Sequence, residues 1–141
     1  MKKSLIFGVV GIMAAVVCQA EPLAQTTTSE AFAQCVERSG GVTVAMRDCS
    51  DIEYQRLDRL LNQSYRTALA NMGQKHRRQL QDAQRKWLAY SQAHCDTVGM
   101  LSGGTMDLLN RDGCRMDQII QRIDELRDIA QFCSEGSCQD N

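Results

Sequence analysis

The sequence predicts an all-α domain: a disulfide-stapled bundle of three main helices, at about residues 51–72, 74–96 and 114–132, with a glycine-rich loop before the third. Three observations predict it. Apolar residues recur at three- and four-residue steps through each of those segments, and no stretch of useful length alternates apolar with polar residues as a strand does. Six cysteines follow residue 20, an even number in a short chain.

The N-terminus comes first. Lys2 and Lys3 precede an apolar run from Leu5 to Val17 that ends in Cys18-Gln19-Ala20, the pattern of a secretory signal peptide over residues 1–20. The run falls short of the roughly 18 apolar residues that a membrane span needs, and Ala20 is the small residue expected before a cleavage ahead of Glu21. Cys18 follows Val16-Val17 rather than a small residue, which disfavours lipidation. The mature protein is therefore expected in the periplasm or secreted. Loss of residues 1–20 removes two lysines and no acid, taking the net charge from −1 to −3. That balance argues against nucleic acid and against an anionic membrane surface, and suits a basic protein partner.

Pro22 is the one proline, and Gln25-Thr26-Thr27-Thr28-Ser29 has no apolar period, so residues 21–32 read as a flexible leader. The folded domain is expected over residues 33–132. Near its start, Cys35 and Gly40-Gly41 suggest a short helix or turn, a break and another short segment. Ser50-Asp51-Ile52-Glu53 has the S-x-x-E form of a capping box, in which hydroxyl and carboxylate each satisfy a free amide of the first turn, so the first main helix is placed from there. Tyr54, Leu57, Leu61, Tyr65, Ala68 and Met72 form its stripe, and Gly73 ends it. Leu80, Ala83, Trp87, Tyr90 and His94 form the stripe of the second. The two are expected to make an antiparallel hairpin. Gly99, Gly103, Gly104 and Gly113 mark Thr97 to Gly113 as loop, with room for one helical turn at Met106 to Leu109. The third helix carries Met116, Ile119, Ile120, Ile123, Leu126 and Ala130, and residues 133–141 are a short polar tail.

Cys49 lies 24 residues before Gly73 and Cys95 lies 22 after it, so a hairpin at the usual rise sets them nearly level at one end. Cys35 and Cys114 belong to the same pole. The expected pairing is Cys49–Cys95, Cys35–Cys114 and Cys133–Cys138; the main rival joins Cys35 to Cys49 and Cys95 to Cys114. A metal site from His94, Cys95, Cys114 and Cys35 is disfavoured, since adjacent residues on a helix point about 100° apart and an oxidising compartment favours disulfides. The x4 spacing of Cys133 and Cys138 is not that of a redox pair. His76, beside Arg77 and Arg78, reads as solvated.

Catalysis requires a nucleophile with a base, or two carboxylates in a cleft. Asp58 interrupts an apolar stripe, near Asn62 and Tyr65, and is expected to pair with Arg85 or Arg122 and so hold the helices in register. A lone Asp makes no active site, Trp87 and Tyr90 read as core, and no enzyme activity, cofactor or metal is expected.

The order Cys35, Cys49, Asp58-x-x-Leu61-Asn62-x-x-Tyr65, Gln84-Arg85-x-Trp87-Leu88-x-Tyr90, Cys95, Gly103-Gly104-Thr105, Cys114, Arg122 and Leu126 resembles the LprI-like lysozyme-inhibitor domain family of exported bacterial proteins. The resemblance covers about residues 32–130 and leaves out the tail. It implies a helical, disulfide-bonded fold and makes inhibition of lysozyme-type glycosidases the first expectation for function. The chain departs from the family in carrying Ser91 where the family usually has Arg after the Tyr, and in a longer span from Cys35 to Cys49. The expected contact loop is Ser102, Gly103, Gly104, Thr105, Met106 and Asp107: Gly-Gly permits close backbone approach, and the hydroxyls suit catalytic carboxylates. The bland alternative is a turn between two helices. Rival functions are immunity or accessory action against another envelope toxin, and a structural or stress role with no enzyme target.

Overall fold

The computed structural model describes residues 25–140. The expected signal peptide, its cleavage point and Cys18 lie outside the described residues. Four helices follow one another: α1 (Glu30–Arg38), α2 (Thr43–Ala70), α3 (Gln74–Val98) and α4 (Met106–Phe132), with a wide π-type turn at Cys133–Ser137. The fold is all-α, built on three main helices with a short one ahead of them. Among the described residues no helix is long and apolar enough to cross a membrane.

α4 is the central element. Its Met116, Ile119, Ile123, Leu126 and Ala130 pack chiefly against Leu57, Leu61 and Ala68 of α2, and α3 adds Leu80 from the other side. α2 and α3 barely touch each other. They leave the short turn at Asn71–Gly73 and diverge over α4, so the expected hairpin of two helices in mutual contact is replaced by two helices that each lean on a third.

This divergence decides the sulfur chemistry. The bridges are Cys35–Cys49, Cys95–Cys114 and Cys133–Cys138, with Cα atoms 5.8, 5.5 and 5.0 Å apart. The expected Cys49–Cys95 and Cys35–Cys114 pairs do not form, because the level placement of Cys49 and Cys95 presupposed helix-to-helix contact. The expected gathering at one pole does occur. Arg47, two residues before Cys49, donates to Asp112, two before Cys114, at 2.9 Å, so both bridges stand at the same end of the bundle.

The start of α2 differs from the capping-box reading. Gly40 and Gly41, at φ +57° and +80°, turn the chain in a conformation that side chains resist, and α2 begins at Thr43. Ser50 is therefore inside the helix, its hydroxyl donating to the Met46 carbonyl at 3.1 Å. Glu53 does cap a helix, but a different one. It is buried, and its two oxygens accept from the N–H and the hydroxyl of Ser29, both at 2.7 Å, while the Ser29 Oγ accepts from Phe32 N at the first turn of α1. Arg56 completes the group, donating to Glu53 at 2.7 Å and to the Thr27 carbonyl at 2.9 Å.

The expected leader ends in a fastened segment. Thr26 is buried, its N–H and hydroxyl donate to Asp124 at 3.1 and 2.6 Å, and Arg127 donates to its Oγ at 2.6 Å. The tail is fastened too. Cys138 accepts from Gly73 N at 2.8 Å and the Asp140 carboxylate accepts from Lys75 N at 3.1 Å, so the C-terminus supplies the cap that Gly73 lacks at the start of α3.

α4 begins at Met106 rather than near Cys114, so Gly113, expected in the loop, sits inside it. Glycine there weakens the helix by about 1 kcal/mol, too little to break one anchored by packing and a disulfide.

Candidate functional site: the α3–α4 loop and the neighbouring cleft

The loop from Gly99 to Thr105 is organised by a carboxylate beneath it. Asp107, at 6% exposure, accepts from Ser102 N at 2.8 Å, Ser102 Oγ at 2.6 Å and Gly103 N at 2.7 Å. These bonds hold its carboxyl below the ordinary range, the Ser102 hydroxyl contributing most. Gly103 takes φ +74°, which the turn requires. On the other side Arg111 lies across Gly99, where a Cβ would stand 2.7 Å from the guanidinium nitrogen.

Of the six residues expected to meet a partner, Ser102, Gly103, Gly104, Thr105 and Met106 are exposed. Asp107 faces inward, and the Ser102 hydroxyl is already donated to it, so of the two hydroxyls expected to bond to a partner's carboxylates that of Ser102 is engaged. Met100 and Leu101 were not foreseen, and they are 74% and 75% exposed, with Met106 at 57%. The signal was present: two large apolar residues immediately after a helix stop have no core to enter.

Beside the loop, the divergence of α2 from α3 opens a cleft of 460 Å³ floored by Leu61 and Ile119. Asp58 lines it, and its expected ion pairs are absent. Its Oδ2 accepts from Asn62 Nδ2 at 3.0 Å. Arg85 pairs with Asp82 at 3.1 Å instead, and Arg122 donates to the buried Gln84 at 2.9 Å and to Glu125 at 2.7 Å, with its guanidinium 5.8 Å from the Trp87 ring. Register between α3 and α4 is thus set by Gln84 and Arg122.

The buried face of α3 is Leu80, Gln84, Ser91 and Cys95, with Trp87 half-buried against the core. Ala83, Tyr90 and His94 are exposed, contrary to the expected stripe; Tyr90 is 58% exposed and stacks on His94 at 5.5 Å. The face turned toward α4 is one residue away from the aromatic one because Gln84 has a buried hydrogen-bond partner and Ser91 is small enough to line the cleft. Among the motif residues, Leu61 and Leu126 are core and Tyr65 is packed on its edge. Among the described residues no His, Cys, Asp or Glu cluster can hold a metal ion, and all six cysteines there are in disulfides.

The family profile described as "Lysozyme inhibitor LprI" matches residues 35–126, most of the chain and nearly all of the bundle. The chain belongs to the LprI lysozyme-inhibitor family. The LprI match spans the Cys35–Cys49 and Cys95–Cys114 bridges, the Asp107 loop and the cleft, and leaves the Cys133–Cys138 tail outside. Among curated proteins, an uncharacterized protein of Rhizobium meliloti (strain 1021) is 27% identical, over 74% of this chain and 87% of that protein. No solved structure matches this LprI chain. Membership in a family of inhibitors agrees with a protein-binding role and with the expectation of no catalysis.

Proposed function

We propose that the protein is an exported inhibitor of lysozyme-type peptidoglycan glycosidases and that it presents the α3–α4 loop to the enzyme. The observation that carries this reading is the loop itself: a short, pre-organised segment with exposed Gly103–Gly104 backbone, flanked by the unpartnered side chains of Met100, Leu101 and Met106. A loop held by three hydrogen bonds to a buried carboxylate loses little conformational freedom on docking. Large apolar side chains around adaptable backbone are the ordinary composition of a contact centre. Glycosidases of this kind carry two carboxylates in a cleft, and the expected net charge of −3 after loss of residues 1–20 favours encounter with a basic enzyme. The hydroxyl available for those carboxylates is that of Thr105.

The test is to add the purified mature protein to lysozymes of several types and measure lytic rate and complex formation. Inhibition at about micromolar concentration, lost in Gly104→Trp and Thr105→Arg with an unchanged melting temperature, is the expected result. Unaltered affinity in both variants moves the contact to the helix faces.

A further inference from the structure

The cleft between α2 and α3 is lined by four charged side chains: Asp96 and Arg111 face each other at 4.0 Å, whereas Asp58 and Arg115 do not meet. Asp58, on the α2 wall, has one oxygen engaged by Asn62 and makes no ion pair among the described residues. Arg115, on α4, lies 4.3 Å from the centroid of the Tyr54 ring and likewise makes no ion pair among them. Tyr54 precedes Asp58 by one helical turn, about 6 Å along the axis, so the guanidinium and the carboxylate are offset along the same opening. Leu61, Ile119, Trp87 and Leu88 give the cleft its apolar lining. Ser91 and Gln92 add polar residues to the α3 wall.

We propose that this cleft binds a small zwitterion, an α-amino acid or dipeptide with an apolar side chain. Its ammonium lies on Asp58, its carboxylate on Arg115, and its side chain on Leu61 and Trp87. The volume of 460 Å³ is in the range of small-molecule sites. Two charge-assisted hydrogen bonds of about 2.8 Å each, added to the short backbone of an amino acid, bridge an offset of roughly one to two helical turns. A ligand with a single charge leaves either the acid or the guanidinium facing water in a half-apolar cleft. The site adjoins the α3–α4 loop through Arg111, but the proposal rests on Asp58 and Arg115 and stands whether or not that loop contacts a lysozyme.

The test uses the full, disulfide-intact mature protein and titration calorimetry or amide chemical shifts. The probes are leucine and leucyl-leucine, with isoamylamine and 4-methylpentanoate as their single-charge counterparts. The zwitterions are expected to bind at least about tenfold tighter than either counterpart, the loss of one hydrogen bond to a charged group. Leucine against leucyl-leucine separates an amino-acid site from a peptide site. Asp58→Asn and Arg115→Gln each weaken binding about tenfold or more by the same reasoning, and Ser91→Arg, which sets a guanidinium beside Asp58, abolishes it. No binding of either zwitterion up to about 10 mM overturns the proposal, as does equal binding of the single-charge probes. The probe comparison is made on the unaltered protein, so a misfolded variant leaves it decisive.

Discussion

Glu53, in the middle of α2, accepts both the N–H and the hydroxyl of Ser29, the residue that caps α1. One carboxylate, together with the Cys35–Cys49 bridge, therefore fastens a helix whose residues are all at least partly exposed. Burial by itself raises the Glu53 carboxyl, but the hydrogen bonds from Arg56 and Ser29 and the Arg56 charge outweigh it and hold the group below its ordinary 4.5. A carboxyl depressed on folding stabilises fully above its unfolded value, and that stability is lost as the pH falls through the folded one. Thermal melts of the wild type are thus expected to drop as pH is lowered below 4.5, and less steeply in Glu53→Gln. At pH 7 the variant is expected to be less stable by about 1.5–3 kcal/mol, the range for hydrogen bonds to a charged group.

Asp107 does for the α3–α4 loop what Glu53 does for α1. Asp107→Asn keeps the size and removes the charge that attracts three donors. The Ser102 and Gly103 amides are expected to exchange about 10–100 times faster with solvent, corresponding to roughly 1–3 kcal/mol of local order, with little change in the melting temperature. Exchange at unchanged rates would mean that the loop is held by the Gly99–Arg111 contact instead.

Peptide mapping of the oxidised protein is expected to yield Cys35–Cys49, Cys95–Cys114 and Cys133–Cys138. In denaturant melts, Cys95→Ser with Cys114→Ser, which opens a 19-residue loop, is expected to cost about 3 kcal/mol. The pair Cys133→Ser and Cys138→Ser opens a loop of 5 and is expected to cost about 2 kcal/mol.

Asp140 caps α3 from the far end of the chain. Asp140→Ala is expected to weaken the first turn of α3 by about 1 kcal/mol, as loss of a helix cap does. The Lys75 amide, which donates to it, reports the change by faster exchange. Added salt is expected to shrink the difference, since a carboxylate at a helix N-terminus acts partly by charge.

α2 and α4 were legible in the sequence, though each begins about eight residues earlier than expected, because their buried faces are aliphatic and regular: Leu57, Leu61 and Ala68 on one, Ile119, Ile123 and Leu126 on the other. α3 was legible as a helix but not in its orientation, since Gln84 and Ser91 are polar and face inward while Tyr90 faces out. Period cannot reveal a buried Gln whose partner, Arg122, comes from another helix 38 residues away. The same holds for Glu53, whose S-x-x-E spacing was real but whose partner lay 24 residues back. The loop was found from its glycines, whereas its apolar flank, Met100 and Leu101, was passed over although it directly follows the helix stop at Gly99. The cleft depends on the angle between α2 and α3, which no local pattern encodes.

The order of the bridges along the chain has a bearing on how the protein matures. After residue 20 the sulfurs pair in order, first with second, third with fourth and fifth with sixth, across 14, 19 and 5 residues. Closing loops of this length takes on the order of 10–100 ns, so a thiol emerging into an oxidising space meets its native mate before more distant competitors. Oxidative maturation is therefore expected to run forward from the N-terminus with few scrambled isomers and little need of an isomerase.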